Sequence, residues 1–226
     1  MIGKMILTVV LAAVIGYLLG SINSAITVVR LLKHEDVRKV GSGNAGLTNT
    51  LRCYGKFCAL LTLIGDLSKG VIAVLLTRDL LAHFLIGGEP QSYYFIGYVA
   101  GLFAILGHVF PLYYGFKGGK GVLVGVSVFL VLDWRVFCIL IGIFAVILLI
   151  SRYVSLASII ATGCAPFVTV ISQYIRWENF PLWQMALHFV LTAIMASIII
   201  WMHRSNIQRL RAGTENKFGK KKAKAE

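Results

Sequence analysis

Three short segments of this sequence concentrate the residue types that hold phosphate. The first is Gly41-Ser42-Gly43-Asn44-Ala45-Gly46-Leu47-Thr48-Asn49-Thr50-Leu51-Arg52. Its glycines let backbone N–H groups approach an anion closely, while Ser42, Asn44 and Asn49 add neutral donors. Arg52 ends the segment with a planar, permanently charged fork that suits a phosphate. A helix beginning within the segment would also direct its N-terminal partial charge at the same anion. The competing reading is an ordinary polar turn between two apolar stretches.

The second segment is Gly107-His108-Val109-Phe110-Pro111, followed by Gly115-Phe116-Lys117-Gly118-Gly119-Lys120-Gly121. Glycines and lysines packed this densely form an anion-binding nest, although their spacing is not that of a Walker loop, so nucleotide binding is not implied. Lysines at a membrane edge also snorkel, which explains Lys117 and Lys120 but not the glycines around them. His108 is either a hydrogen-bonded packing residue or a site residue. The third segment, His203-Arg204-Ser205-Asn206-Ile207-Gln208-Arg209-Leu210 and then Gly213-Thr214-Glu215, places His203, Asn206 and Ile207 on one face if it continues a helix. Read alone, it is a basic helix end.

These segments have to be positioned by elements that live in a bilayer. Of the 226 residues, 58% are hydrophobic and only 14% charged, and the mean hydropathy is +0.83. The formal net charge of +13 lies almost wholly in short connections and in the C-terminal tail. Stretches long enough to cross about 30 Å of hydrocarbon are residues 5–29, 90–116, 153–175 and 179–203. A fifth, residues 57–77, carries Asp66 and Lys69 on one helical face, where they are expected to pair and to hold this span against the site. Residues 121–151 are split by Asp133 and Arg135, giving either two short spans or a re-entrant hairpin.

The fold class is therefore an all-α polytopic membrane protein with seven transmembrane helices, or five plus a re-entrant hairpin. Both counts are odd. Arg30, Lys33, Arg38, Lys39, Arg52, Lys56, Lys117, Lys120, Arg152 and the basic tail then share one side, against Lys4, Arg78, Arg135 and Arg176 on the other. The positive-inside rule puts the N-terminus outside and the C-terminus, with all three segments, in the cytoplasm. The whole chain, 1–226, reads as one integral membrane domain, with 216–226 a basic flexible tail on anionic lipid. The apolar run after Lys4 reads as a retained first span rather than a cleaved signal, since its C-terminal flank is the more basic. Cys53, Cys58, Cys138 and Cys164 have neither metal-site nor disulfide-scaffold spacing and read as reduced packing residues.

Taken together and in this order, the segments resemble the PlsY family of glycerol-3-phosphate acyltransferases, whose members carry a loop like SGNxGATNxLR, a loop like GHxFPxFxxFKGGKGVAT and a C-terminal helix like RHxxNIxRLxxGxE. The match runs from Leu18-Leu19-Gly20-Ser21 to Glu215 and includes Asp66-Leu67-Ser68-Lys69-Gly70 and Arg152-Tyr153-Val154-Ser155. The resemblance implies transfer of a fatty acyl group from acyl phosphate to the sn-1 hydroxyl of glycerol 3-phosphate, giving lysophosphatidate and phosphate for phospholipid biosynthesis. It implies no metal or other cofactor, no nucleic acid, a monomer in contact with membrane lipid, and a bacterial inner-membrane location with the site facing the cytosol. Carried over position by position, Ser42, Arg52, Lys120 and Asn206 hold phosphate groups. The loop of Gly118, Gly119 and Gly121 cradles one of them, with His203 and Glu215 as further site or supporting residues. Gly43, Asn44, Asn49, His108 and Lys117 occupy further motif positions.

Two positions depart from the family pattern. Leu123-Val124 stands where Ala-Thr is usual, which predicts weaker acyl-phosphate binding, and Asn23 stands where Pro is usual. The chemistry fits on independent grounds. Two phosphates brought to about 5–6 Å repel by several kcal/mol in a poorly screened site, which Arg52 and Lys120 offset. Acyl phosphate is already activated, and the sequence offers no convincing Ser-His-Asp or Cys-His arrangement, so direct transfer is the simpler route. The rival reading is a transporter of a phosphorylated small molecule, which its lack of an evident internal repeat disfavours.

Overall fold

The computed structural model describes residues 2–87, 90–177 and 180–219, and among these every regular element is helical. Asn179, and Lys220, Lys221, Lys222 and Lys224 of the expected basic tail, lie outside the described residues.

Helix α1 spans Ile2–Ser21 and does not run on through the apolar stretch to residue 29. Asn23 interrupts it. Its backbone is extended (φ −85°, ψ 105°), and its side chain accepts from the Ile26 N–H at 3.0 Å, which caps α2 (Ser24–Lys33). An asparagine cap thus makes the break that a proline would make by lacking an N–H.

Helix α3 (Leu47–Val74) is bent at Gly55, whose φ of 82° only glycine adopts readily, and it continues through a π-helical stretch, Leu75–Ala82, into α4 (His83–Ile86). Helix α5 (Phe95–Val109) is the central post; along it only Phe103 and Leu106 escape full burial. The remaining helices are α6 (Val122–Leu132), α7 (Trp134–Ser151), α8 (Val154–Arg176), α9 (Leu182–Met202) and the short α10 (Arg204–Arg211).

Helix α1 lies against α5 at backbone contact. A Cβ on Gly16 or Gly20 would overlap the carbonyl oxygen of Ala100 or Ala104, and one on Gly107 would overlap that of Tyr17. Small residues one turn apart serve this purpose in membranes, where close van der Waals packing replaces the hydrophobic drive between helices.

Among the described residues, six helical segments are long and apolar enough to cross a membrane: Ile2–Lys33, Leu47–Ile86, Phe95–Tyr114, Trp134–Ser151, Val154–Arg176 and Leu182–Met202. The region 121–151 resolves into two helices joined at Asp133. This residue is 4% exposed, caps α7 by accepting from the Arg135 N–H, and accepts from the Ser172 hydroxyl at 2.7 Å. A carboxylate inside an apolar stretch is therefore satisfied within the protein, as its burial requires. The 11 residues of α6 span only about 17 Å.

Candidate active site

The three phosphate-type segments converge at one end of the bundle, at the α5–α6 connection. Beyond α5 the chain turns through Gly115 and Phe116, both at positive φ, and the Gly118 and Gly119 N–H groups donate back to the carbonyls of Val109 and His108 at 3.1 Å. Those two amides are committed to the loop itself, so they do not cradle a ligand. Their lack of side chains lets the loop close instead: a Cβ on Gly119 would collide with His108 Nε2 and the Ala45 carbonyl. The seam between the first and second segments runs between these groups.

Arg38 clamps the same seam from outside. Its guanidinium binds Asp36 through Nε and Nη2, while Nη1 donates to the carbonyls of Tyr114 at 2.7 Å and Lys117 at 3.1 Å. Hydrogen bonds from Arg38 hold the Asp36 carboxyl below the usual carboxylate range, against the opposing effect of burial.

In the first segment, Asn49 sits in the opening turn of α3 and is 2% exposed. Its Oδ1 accepts from the Ser42 N–H at 2.9 Å and its Nδ2 donates to the carbonyls of Val37 and Val40, both at 3.0 Å. Asn49 therefore shapes the loop and has no donor left for a ligand. Ser42 and Gly43 are exposed and Asn44 is half-buried. Arg52, a turn further along α3, is exposed with no hydrogen bond among the described residues.

The third segment meets the second directly. Lys120 Nζ donates to Asn206 Oδ1, and Asn206 Nδ2 donates to Glu215 Oε1 at 2.7 Å. Glu215 also accepts from Ser155 Oγ at 3.0 Å and from Arg209 Nε at 2.6 Å. The carboxylate reaches this point because residues 217 and 218 dock on the α7–α8 turn: the Phe218 N–H donates to the Arg152 carbonyl, and Lys217 lies 5.5 Å from the Tyr153 ring centroid. Helix α10 is not a continuation of α9; the chain breaks at His203 (φ −91°, ψ 7°). His203 and Asn206 are nonetheless both buried, and His203 Nδ1 donates to the Ile199 carbonyl at 2.8 Å.

Burial pushes the Lys120 ammonium down to about 8; Glu215 opposes this, and Arg209 and Arg52 add to it. Arg52 thus contributes to the positive field at Lys120 without touching it. His203 is pushed down to about 4 by burial and by Lys120, so its imidazole is neutral at pH 7. Glu215 lies below the usual range: burial opposes this, but hydrogen bonds from Asn206, Arg209 and Ser155 prevail.

Beneath this polar cluster lies an apolar cavity of about 150 Å³ between α6, α7, α8 and α9, lined by Val122, Phe129, Phe137, Phe144, Met195 and Ile199 among others. Leu123 borders it. Val124 does not: it is fully buried at the α3–α6 contact, where its carbonyl faces Gly70. A hydroxyl at position 124 would thus point into packing, so the sequence-based expectation that its absence weakens acyl-phosphate binding loses its physical basis.

Lys120, Asn206 and Glu215 form one hydrogen-bonded chain, with His203 and Arg52 within electrostatic reach of Lys120, while Ser42 hydrogen-bonds to Asn49 and not to this chain. Lys117 is exposed and enters only through its carbonyl, and His108 is turned toward Lys69. Sequence reasoning left Ser155, Arg209 and Arg38 without roles. Ser155 and Arg209 lie within family-like segments whereas Arg38 does not, and the distant partners of Ser155 and Arg38 come from turns whose approach no spacing encodes.

Residues 10–213 match the family model described as glycerol-3-phosphate acyltransferase. A glycerol-3-phosphate acyltransferase of Halalkalibacterium halodurans is 43% identical over 91% of this chain and 93% of its own length, and one of Coxiella burnetii is 39% identical over 92% and 97%. Among solved structures, the glycerol 3-phosphate form of PlsY (YgiH), an integral membrane glycerol 3-phosphate acyltransferase, superposes with a TM-score of 0.75 at 34% identity, covering 93% of this chain and 96% of that one. The lysophosphatidic acid form gives 0.73 at 32%. The shared family, the apolar helices and the clustered site agree: this chain is a multi-pass membrane acyltransferase and belongs to the glycerol-3-phosphate acyltransferase family.

Proposed function

We propose that this protein transfers a fatty acyl group from acyl phosphate to the sn-1 hydroxyl of glycerol 3-phosphate, releasing lysophosphatidate and phosphate. The observation that carries the reading is the Lys120–Asn206–Glu215 chain next to an apolar cavity whose wall includes Val122, two residues from Lys120, and Ile199, whose carbonyl holds His203. An anionic head and a fatty chain need those two environments side by side. Arg52, exposed and uncommitted, supplies the second cation, and Ser42 stands at the exposed tip of the first loop. Ser42, Arg52, Lys120 and Asn206 hold the two phosphates; Gly43, Asn44 and Gly121 shape the surface against which they lie.

In the reaction the glycerol oxygen attacks the acyl carbonyl carbon, the bond from that carbon to the phosphate oxygen breaks, and the hydroxyl proton ends on the released phosphate. An activated donor makes an acyl-enzyme unnecessary. Direct transfer is supported by the hydrogen bonding: Ser155 is bound to Glu215 rather than to a histidine, and His203 is oriented by a backbone carbonyl rather than a carboxylate. The enzyme needs fixed positive charge and geometry more than it needs a nucleophile.

The protein acts as a single domain and a monomer without cofactor, in the bacterial inner membrane. Counting α6, seven helices cross, with the N-terminus outside and the site cytosolic, a topology favoured by the excess of Lys and Arg on the site's side. The test is a comparison of donors on purified protein. Acyl phosphate should give sn-1 lysophosphatidate, whereas acyl-coenzyme A and acyl-carrier protein at equal concentration should give little; product from a thioester alone would reject the reading.

A further inference from the structure

Where α1 breaks, α3 buries an ion pair that the transfer chemistry does not use. Lys69 Nζ lies 3.0 Å from Asp66 Oδ1, 2.9 Å from the Ile22 carbonyl oxygen and 2.8 Å from His108 Nδ1. All three side chains are at most 5% exposed. Ile22 and His108 stand at hydrogen-bond distance and Asp66 faces the ammonium as an ion pair; an ammonium has only N–H donors and no lone pair with which to accept. The carboxylate beside it compensates its charge, as burial demands.

The imidazole must then meet this ammonium with a lone pair. Its Nδ1 lies 3.6 Å from Asp66 Oδ1, too far to donate there, so Nδ1 accepts from Lys69 and the ring proton resides on Nε2. That nitrogen faces the seam where Gly119 and the Ala45 carbonyl meet, between the two glycine loops, and no hydrogen bond among the described residues uses it. His203 has the opposite arrangement, its Nδ1–H spent on Ile199 and its Nε2 left as an acceptor.

We infer that Lys69 is a positioning residue that fixes His108 as the Nε2–H tautomer, so that His108 offers a substrate oxygen in this seam a hydrogen-bond donor and does not act as a base. The substrate part of this inference rests on the acyltransferase reading; the tautomer part does not. Within that reading, the attacking hydroxyl must lose its proton to some group other than His108. Asp66 acts one step further back, by keeping Lys69 charged and in place.

Two measurements test it. In protein labelled with ¹⁵N-histidine, the resonance that disappears in His108→Gln should show a pyridine-type Nδ1 and a pyrrole-type Nε2, and Lys69→Met should change that signature. A pyrrole-type Nδ1 on the wild-type resonance so assigned, with His108→Gln melting as the wild-type protein does, overturns the inference; should that variant not fold, a failure to find any wild-type histidine with a pyridine-type Nδ1 and a pyrrole-type Nε2 overturns it as well. Because this readout needs no turnover, a failure of the acyltransferase reading is seen separately, as wild-type protein that makes no lysophosphatidate.

In kinetics, the amide nitrogen of His108→Gln replaces the Nε2–H, whereas His108→Phe supplies no donor. The Phe variant should lose about 10- to 100-fold in kcat/KM, and the Gln variant should recover most of that loss. Equal losses in the two variants, as expected for a missing base, would overturn the assignment.

Discussion

Asn206 Nδ2 donates to Glu215 Oε1 at 2.7 Å, and this bond decides which end of the Asn206 amide meets Lys120. With the NH2 group held by the carboxylate, Oδ1 faces the ammonium and accepts from it. Glu215 is thus linked to Lys120 through Asn206. Replacing Glu215 by Ala frees the amide to rotate and leaves Arg209 and Ser155 without their common acceptor. A loss of about 10- to 100-fold in kcat/KM is expected, the range for a hydrogen bond to a charged group. The Asn206→Ala/Glu215→Ala double variant should lose little more than Asn206→Ala alone, because both remove one network; fully additive losses measured by a double-mutant cycle would contradict this.

The pH dependence follows from Lys120, whose ammonium is pushed down to about 8 mainly by burial. It is charged below that value and neutral above it, so phosphate binding is present at lower pH and is lost as pH rises through the folded-state value. KM for glycerol 3-phosphate should rise on the alkaline side, and Lys120→Arg should move that rise upward by keeping the charge. Bound phosphate itself favours the charged form, so the change should be clearer in kcat/KM, which reports the free enzyme, than in kcat. His203, near 4, should add no limb between pH 6 and 9.

Arg38 holds the glycine–lysine loop by the carbonyls of Tyr114 and Lys117 while its other edge is bound to Asp36. Arg38→Met leaves both carbonyls unpaired by protein and releases the loop. Helix content by circular dichroism should be unchanged and KM should rise several-fold; an unaltered KM would show that the loop holds its shape without the clamp.

These relationships mark where the sequence is readable and where it is not. The apolar stretches and the Asp66–Lys69 pair at i and i+3 follow from periodicity and composition; the structure contains the pair and, among the described residues, six long apolar helical segments, with the stretch 5–29 divided at Asn23. The break at Asn23 was hidden because a lone asparagine in an apolar run does not announce itself as a cap. Asn49 shows the complementary difficulty: it has the right type for a ligand, but burial and neighbours brought by the fold commit its amide to loop groups, while His108 commits only its Nδ1, to Lys69. Arg209 reaches Glu215 six residues on within the third segment, but Ser155 joins them only because the C-terminal segment folds back on α8, a long-range event with no local pattern.

The α1–α5 seam gives a stability prediction that is independent of chemistry. Gly20→Ala places a methyl against the backbone of Ala104 and must move one helix. A destabilisation of about 1–3 kcal/mol is expected for such overpacking. Thermal unfolding in detergent should show it as a lowered midpoint, while Gly3→Ala, where a Cβ meets nothing within 4 Å, should not.

The central claim is that fixed positive charge at Lys120 and Arg52 lets an acyl phosphate and glycerol 3-phosphate react side by side. The most direct test follows both products at once, using purified protein, acyl phosphate and labelled glycerol 3-phosphate. Wild-type protein should form lysophosphatidate and inorganic phosphate in equal amounts, and Lys120→Met and Arg52→Met, folded by the same melting assay, should each lose most of the turnover. Phosphate release without lysophosphatidate, or a Lys120→Met variant as active as wild type, would contradict the account.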